Sequence, residues 1–159
     1  MFLPKWKGKD MNIYTIGYEG MDQKLFMAYL KRFNISYIAD VRHRPLSRKK
    51  GFSMTAMAEM LNLNDIEYKN FKELGTSKEM RDKLHSTSDY RSFFIEYKKT
   101  IKEHTAQIDE ILKIVNQGHN VALLCFEKEA DKCHRKVVAE EIKNRDGNGM
   151  MIKHIKSLL

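Results

Sequence analysis

Asn120-Val121-Ala122-Leu123-Leu124-Cys125-Phe126 is the stretch on which the fold turns. Val121 to Phe126 is an unbroken apolar run. Such a run reads as a strand covered on both faces, the mark of a parallel sheet between helices. Upstream, Ile108, Ile111, Leu112 and Val115 repeat at helical spacing, and Gly118 closes that helix. Downstream, His134 to Arg145 reads as helix and Met150 to Ile155 as a short last strand.

The same alternation extends to the start of the chain. Asn12 to Ile16 reads as a strand that stops at Gly17-Tyr18-Glu19-Gly20. A helix follows from about Asp22 to Phe33, with Leu25, Phe26, Tyr29, Leu30 and Phe33 on one face. Ser36 to Val41 is the second strand, and the basic loop Arg42 to Gly51 follows it. Ser53 reads as the N-cap of a helix carrying Met54, Met57, Ala58 and Leu61. Ile66 to Phe71 is a weaker strand, and Ser77 to Gly118 forms a helical block in three pieces. The expectation is an α/β fold with one mostly parallel five-stranded sheet in order 3-2-1-4-5 and helices on both faces. Residues 1–11 read as a flexible leader and 12–159 as a single domain, in keeping with 159 residues.

Composition narrows the function classes. The chain is 42% hydrophobic and 31% charged, a globular balance. A membrane-spanning helix needs about 20 apolar residues, and the longest clean run falls far short. The opening residues carry no segment apolar enough for a signal peptide. Two cysteines make no disulfide framework, so we expect a cytoplasmic protein with free thiols and no membrane partner. The formal net charge of +8 favours polyanions such as nucleic acid, nucleotides and other phosphate-bearing ligands.

In a sheet of this kind ligands sit beyond the carboxyl ends of the strands, where strand order reverses. The loops there, 17–20, 40–51 and 127–135, hold the chemistry. Cys125 ends the apolar strand and Cys133 is placed in the first turn of the next helix, with Asp131 as N-cap. A helix N-terminus with His134 and Arg135 adjacent lowers a thiol pKa. Arg135 also suits an anion held on that helix end, whereas Cys125 reads equally as a small buried hydrophobe. Asp40 suits a base or an arginine partner. Arg42 and Arg44, two apart in extended chain, suit a phosphate, or Arg42 pairs structurally with Asp40. Ser47 joins them as a ligand contact. Glu19 suits acid or base work, Tyr18 suits stacking on a ring, and Glu127 is a second acid or base. A zinc reading uses Cys125, Cys133 and His134 with His43 or His154, although the spacing is not the usual C-x₂₋₄-C. No dinucleotide or Walker fingerprint is present, so no cofactor is named.

These motifs together resemble the bacterial and archaeal domain-of-unknown-function family 488. The residues that carry the resemblance are Thr15-Ile16-Gly17-Tyr18, Asp40-Val41-Arg42-His43-Arg44-Pro45-Leu46-Ser47, Phe52-Ser53, Leu74-Gly75-Thr76, Cys125-Phe126-Glu127 and Cys133-His134-Arg135. The third loop departs from the family's commoner L-G-G. The resemblance implies an α/β fold and no established reaction. The expected function is therefore an enzyme acting on an anionic, phosphate-bearing substrate, with Asp40, Glu127, Cys133, Cys125 and Glu19 as candidate catalytic residues. Tyr18, Arg42, Arg44, Ser47, His134 and Arg135 are the candidate binding residues. The alternatives are a non-catalytic nucleic-acid-binding module and a thiol redox or zinc-binding protein.

Overall fold

The computed structural model describes residues 11–156. Five parallel strands form one sheet: β1 (Asn12–Gly17), β2 (Tyr37–Asp40), β3 (Glu67–Asn70), β4 (Val121–Cys125) and β5 (Met151–Ile155). Six helices join them: α1 (Gln23–Arg32), α2 (Met54–Leu63), α3 (Lys78–Thr87), α4 (Tyr90–Ile101), α5 (Thr105–Asn116) and α6 (Arg135–Asp146). The expected leader lies outside the described residues apart from Met11. The Met11 carbonyl accepts the Met151 N–H at 2.9 Å.

The strand order is 3-2-4-1-5, not 3-2-1-4-5. Polarity accounts for the edges, which are the same in both orders. The edge strands β3 and β5 carry exposed Glu67, Lys69 and Lys153, as solvent-facing edges require. All five residues of β4 are buried. The two orders differ in the middle, where β4 pairs with both β2 and β1: Ser36 Oγ accepts the Asn120 N–H at 3.0 Å beside β2 and β4, and Thr15 Oγ1 lies 2.6 Å from His154 Nδ1 across β1 and β5.

Alternation along the strands divides the core in two. Val121, Leu123 and Cys125 of β4 face α4, α5 and α6, packing with Tyr97, Ile108, Ile111 and Val138. Ala122 and Leu124 face α1 and α2, packing with Phe26, Leu30, Met57 and Leu61. Of the α2 methionines, Met57 is buried in this core and Met60 packs partly buried against it, whereas Met54 is 46% exposed.

The local signals hold in part at the helix ends: Ser53 stands at the N-cap of α2, but its side chain makes no capping bond. Asp22 and Ser77 cap α1 and α3 by accepting the N–H groups of Leu25 and Met80. Ser77→Ala is expected to lower stability by about 1 kcal/mol, read as a drop in the urea midpoint without a change in slope. The start of α6 differs from expectation. A 3₁₀ turn, Ala130–Lys132, precedes it, with the Cys133 N–H on the Ala130 carbonyl at 3.0 Å. His134 is the N-cap, Cys133 is extended just before it, and exposed Asp131 pairs instead with Lys136 at 2.8 Å.

Because β4 adjoins both β1 and β2, the loop after it lies between the loops after those two strands. The Tyr18 and Glu19 N–H groups donate to the Cys125 and Phe126 carbonyls, and the Val41 N–H donates to the Leu124 carbonyl. Among the described residues, no helix is long and apolar enough to cross a membrane.

Candidate functional site

The loop after β4 is clamped from below. Arg135, 0% exposed, donates Nη1 to the Glu127 carbonyl at 2.5 Å, Nη2 to the Lys128 carbonyl at 3.2 Å and Nε to Thr15 Oγ1 at 3.3 Å. Its guanidinium is thus spent on holding the loop rather than facing an outside anion. Glu19 works on the same loop from above, its carboxylate accepting the Lys128 N–H at 2.9 Å. Gly17 makes the close approach possible, since a Cβ there would lie 1.7 Å from the Glu127 carbonyl oxygen.

A second buried network organises the loop after β2. Asp40, 0% exposed, accepts Arg42 Nε at 2.9 Å, Arg42 Nη2 at 2.7 Å, the Arg42 N–H at 3.1 Å and the Tyr68 hydroxyl. Arg42 Nη1 then donates to the Tyr18 hydroxyl at 3.1 Å and to the Phe52 carbonyl at 2.7 Å. Burial works against the Arg42 charge, but the bonds and charge of Asp40 outweigh it and hold its pKa above the usual value. Tyr68, buried beside the Asp40 charge, is also raised. Tyr18 is buried and stacks on the ring of Phe52 at 4.7 Å, a packing contact within the chain. The Asp40–Arg42 pair therefore takes the structural form weighed above. It ties β2, β3, the turn after β1 and the start of α2 together.

The chemically distinctive cluster stands at the tip of β4. Cys125 Sγ, Cys133 Sγ and the ring of His134 lie within 4.8 Å of one another and are buried. Each sulfur is 3.8 Å from His134 Nδ1. His134 Nε2 is 2.7 Å from the Val41 carbonyl. A carbonyl only accepts, so Nε2 carries a proton and Nδ1 is the ring atom turned to the sulfurs. Tyr97 packs edge-on against the ring at 5.2 Å, fixing its plane. The Cys125 thiol donates to Glu127 Oε2 at 3.2 Å.

The electrostatics of the cluster separate its members. For Cys133, burial opposes ionisation, but the bond from Cys125 and the charges of His134 and Arg135 win and lower its pKa. Its bond to Cys133, burial and the Glu127 charge push Cys125 up. Burial, with the Cys133 charge, pushes Glu127 up to about 7. Burial lowers His134, yet the Cys133 thiolate raises it more.

The cluster forms part of the wall of a cleft of about 620 Å³. Tyr18, Arg42, Cys125, Glu127, Cys133 and His134 line it, together with Arg44 from the second loop. Arg44 and Lys132 are exposed cations in this lining. Asp40 stands behind Arg42 rather than on the surface, and Glu19 lies in an adjoining pocket that shares Glu127 and Lys132. Ser47 is turned to its own loop, accepting the Lys49 N–H at 3.1 Å. Of the expected fourth ligands for a metal, His154 is instead bonded to Thr15 Oγ1 at 2.6 Å, while His43 lines the cleft. Arg81, His85 and Tyr90 of α3 and α4 also line the cleft. Sequence reasoning missed these three because their helices carry ordinary amphipathic spacing. Arg81 is anchored by Nη1 on the Thr76 carbonyl at 2.6 Å. Gly75 lets the chain before α3 pass close to the loop after β2, since a Cβ there would lie 2.1 Å from the His43 nitrogen.

Fold and site define a parallel α/β protein with a dithiol–imidazole–carboxylate cluster at the carboxyl edge of its sheet. The chain belongs to the family described as domain of unknown function DUF488, whose model matches residues 22–142. No curated protein and no solved structure matches it.

Proposed function

We propose that the chain is an enzyme acting on a small anionic, phosphate-bearing substrate of nucleotide size, with the Cys125–Glu127–Cys133–His134 cluster as its reaction centre. One observation carries the reading: a cluster of reactive groups borders a cleft that also presents Arg44, Arg81 and Lys132. A volume of about 620 Å³ suits a mononucleotide better than a duplex. Arginine forks match phosphate oxygens, and Arg44 and Arg81 come from two elements, the loop after β2 and α3. The general positive charge of the chain adds long-range attraction for such a ligand.

The test is a titration of nucleoside mono-, di- and triphosphates and a short single-stranded oligonucleotide at low and moderate salt. Binding of at least one nucleotide is expected, weakening as salt rises. Arg44→Ala and Arg81→Ala are each expected to weaken it about tenfold or more, since a charge-assisted bond is worth roughly 1.5 kcal/mol or above. No nucleotide binding at low salt overturns the reading. Oligonucleotide binding that is indifferent to both substitutions also overturns it and favours a binding module built on the loop around Arg48 and Lys50, which are exposed.

A further inference from the structure

We propose that Cys125, Cys133 and His134 bind one zinc-class divalent cation, with the fourth coordination position open to the cleft. The ligand geometry points to this. Thiolate bonds of about 2.3 Å and an imidazole bond of about 2.0 Å, meeting near the tetrahedral angle, separate sulfur from nitrogen by about 3.5 Å. Both sulfurs stand 3.8 Å from Nδ1, which is long for a direct hydrogen bond and close to the span across a bound ion. The three donor atoms lie within 4.8 Å of one another, so a single ion reaches all of them.

The surroundings support the same assignment. A metal-bound imidazole characteristically donates its other N–H to a carbonyl or carboxylate, which fixes the tautomer. His134 does so through Nε2 and the Val41 carbonyl at 2.7 Å. That carbonyl belongs to the chain just after β2, whereas the sulfurs come from the end of β4 and from the residue before α6. Three separate segments are thus held in register before any ion arrives. Two soft sulfurs and one imidazole select zinc over magnesium or calcium, which prefer all-oxygen shells. Three protein ligands with a fourth position on a cleft match catalytic rather than structural zinc sites, which are closed by four protein ligands. Glu127 stands beside that position, its Oε2 3.2 Å from Cys125 Sγ. It is the acid or base that borders the open position.

The metal assignment rests on the proposed function only for what the ion does in the cleft; binding itself stands on the three ligands. The experiment loads freshly reduced full-length chain with Zn²⁺ or Co²⁺ and removes excess by dialysis. One equivalent of metal per chain is expected. The cobalt form is expected to show intense near-ultraviolet thiolate-to-metal charge transfer and the strong visible bands of a tetrahedral site. Cys125→Ser, Cys133→Ser and His134→Gln are each expected to weaken zinc affinity by more than about a hundredfold, beyond the usual cost of losing an outer-shell partner. Circular dichroism checks the fold of each variant, and the wild-type cobalt spectrum stands without them. A wild-type chain lacking the charge-transfer band overturns the assignment, as does a band that survives in the Cys125→Ser/Cys133→Ser double variant. Metal binding without nucleotide binding keeps the centre and discards the substrate reading. Nucleotide binding by a chain that takes up no metal does the reverse.

Discussion

Arg42→Met is expected to lower the free energy of unfolding by about 3–5 kcal/mol, the cost of leaving one member of a buried ion pair behind. Asp40 would keep its place at 0% exposure with only the Arg42 N–H and the Tyr68 hydroxyl as donors. The Tyr18 hydroxyl and the Phe52 carbonyl would also lose the Arg42 Nη1 donor. For a domain with about 5–15 kcal/mol in total, that is a large fraction. Adding Asp40→Asn to Arg42→Met is expected to recover part of the loss, because no uncompensated charge remains. Urea unfolding of both variants checks this. A single variant within about 1 kcal/mol of the parent chain contradicts the structural role given to the pair, since surface ion pairs have that size of effect.

Gly17→Ala is expected to cost about 3 kcal/mol, the upper end for overpacking, and to disturb the cleft as well. The added methyl would lie 1.7 Å from the Glu127 carbonyl oxygen, 2.5 Å from its carbon and 3.1 Å from Arg135 Nη1. None of these atoms can yield cheaply. The carbonyl is held by Arg135 Nη1 at 2.5 Å, and the next residue's N–H is held by Glu19 at 2.9 Å. Relief requires moving the loop that carries Glu127, so cobalt or zinc binding should weaken together with stability. Gly20→Asn is the control. Gly20 has φ +79° with nothing near a built Cβ, and asparagine tolerates that conformation at small cost. Equal losses from the two substitutions would show that steric contact with the loop is not what Gly17 avoids.

Much of the site was legible as a set of loops. Gly17–Gly20, the segment from Asp40 onward and Glu127–Arg135 were marked by residue type and by their positions after strands, and they do meet. What each side chain does there was less legible. Asp40 and Arg42 read as base and anion ligand or as an ion pair, and only the burial of both, with Tyr68 arriving from β3, favours the pair. Arg135 read as an anion ligand because it opens a helix. The carbonyls that occupy it belong to residues 127 and 128, and no local pattern announces such a bond. Cys125 and Cys133, with seven residues between them, argued against a shared ion. The 3₁₀ turn at Ala130–Lys132 folds the connection back so that the two sulfurs meet.

By itself the sequence determined the alternation of strands and helices, their bounds to within a residue or two, the three-piece helical block and the loops that carry function. These follow from periodicity, caps and glycines, which act over a few residues of chain. Only the tertiary structure decided the strand order, because β1 and β4 are both apolar enough for an interior place and the bonds that join them to their neighbours, Ser36 with Asn120 and Thr15 with His154, link residues far apart in sequence. It alone decided which charged groups turn inward. It alone aimed His134 Nδ1 at two sulfurs, since that aim depends on the Val41 carbonyl, 93 residues away along the chain. Partners so distant are brought together by packing, and packing is a property of the whole chain.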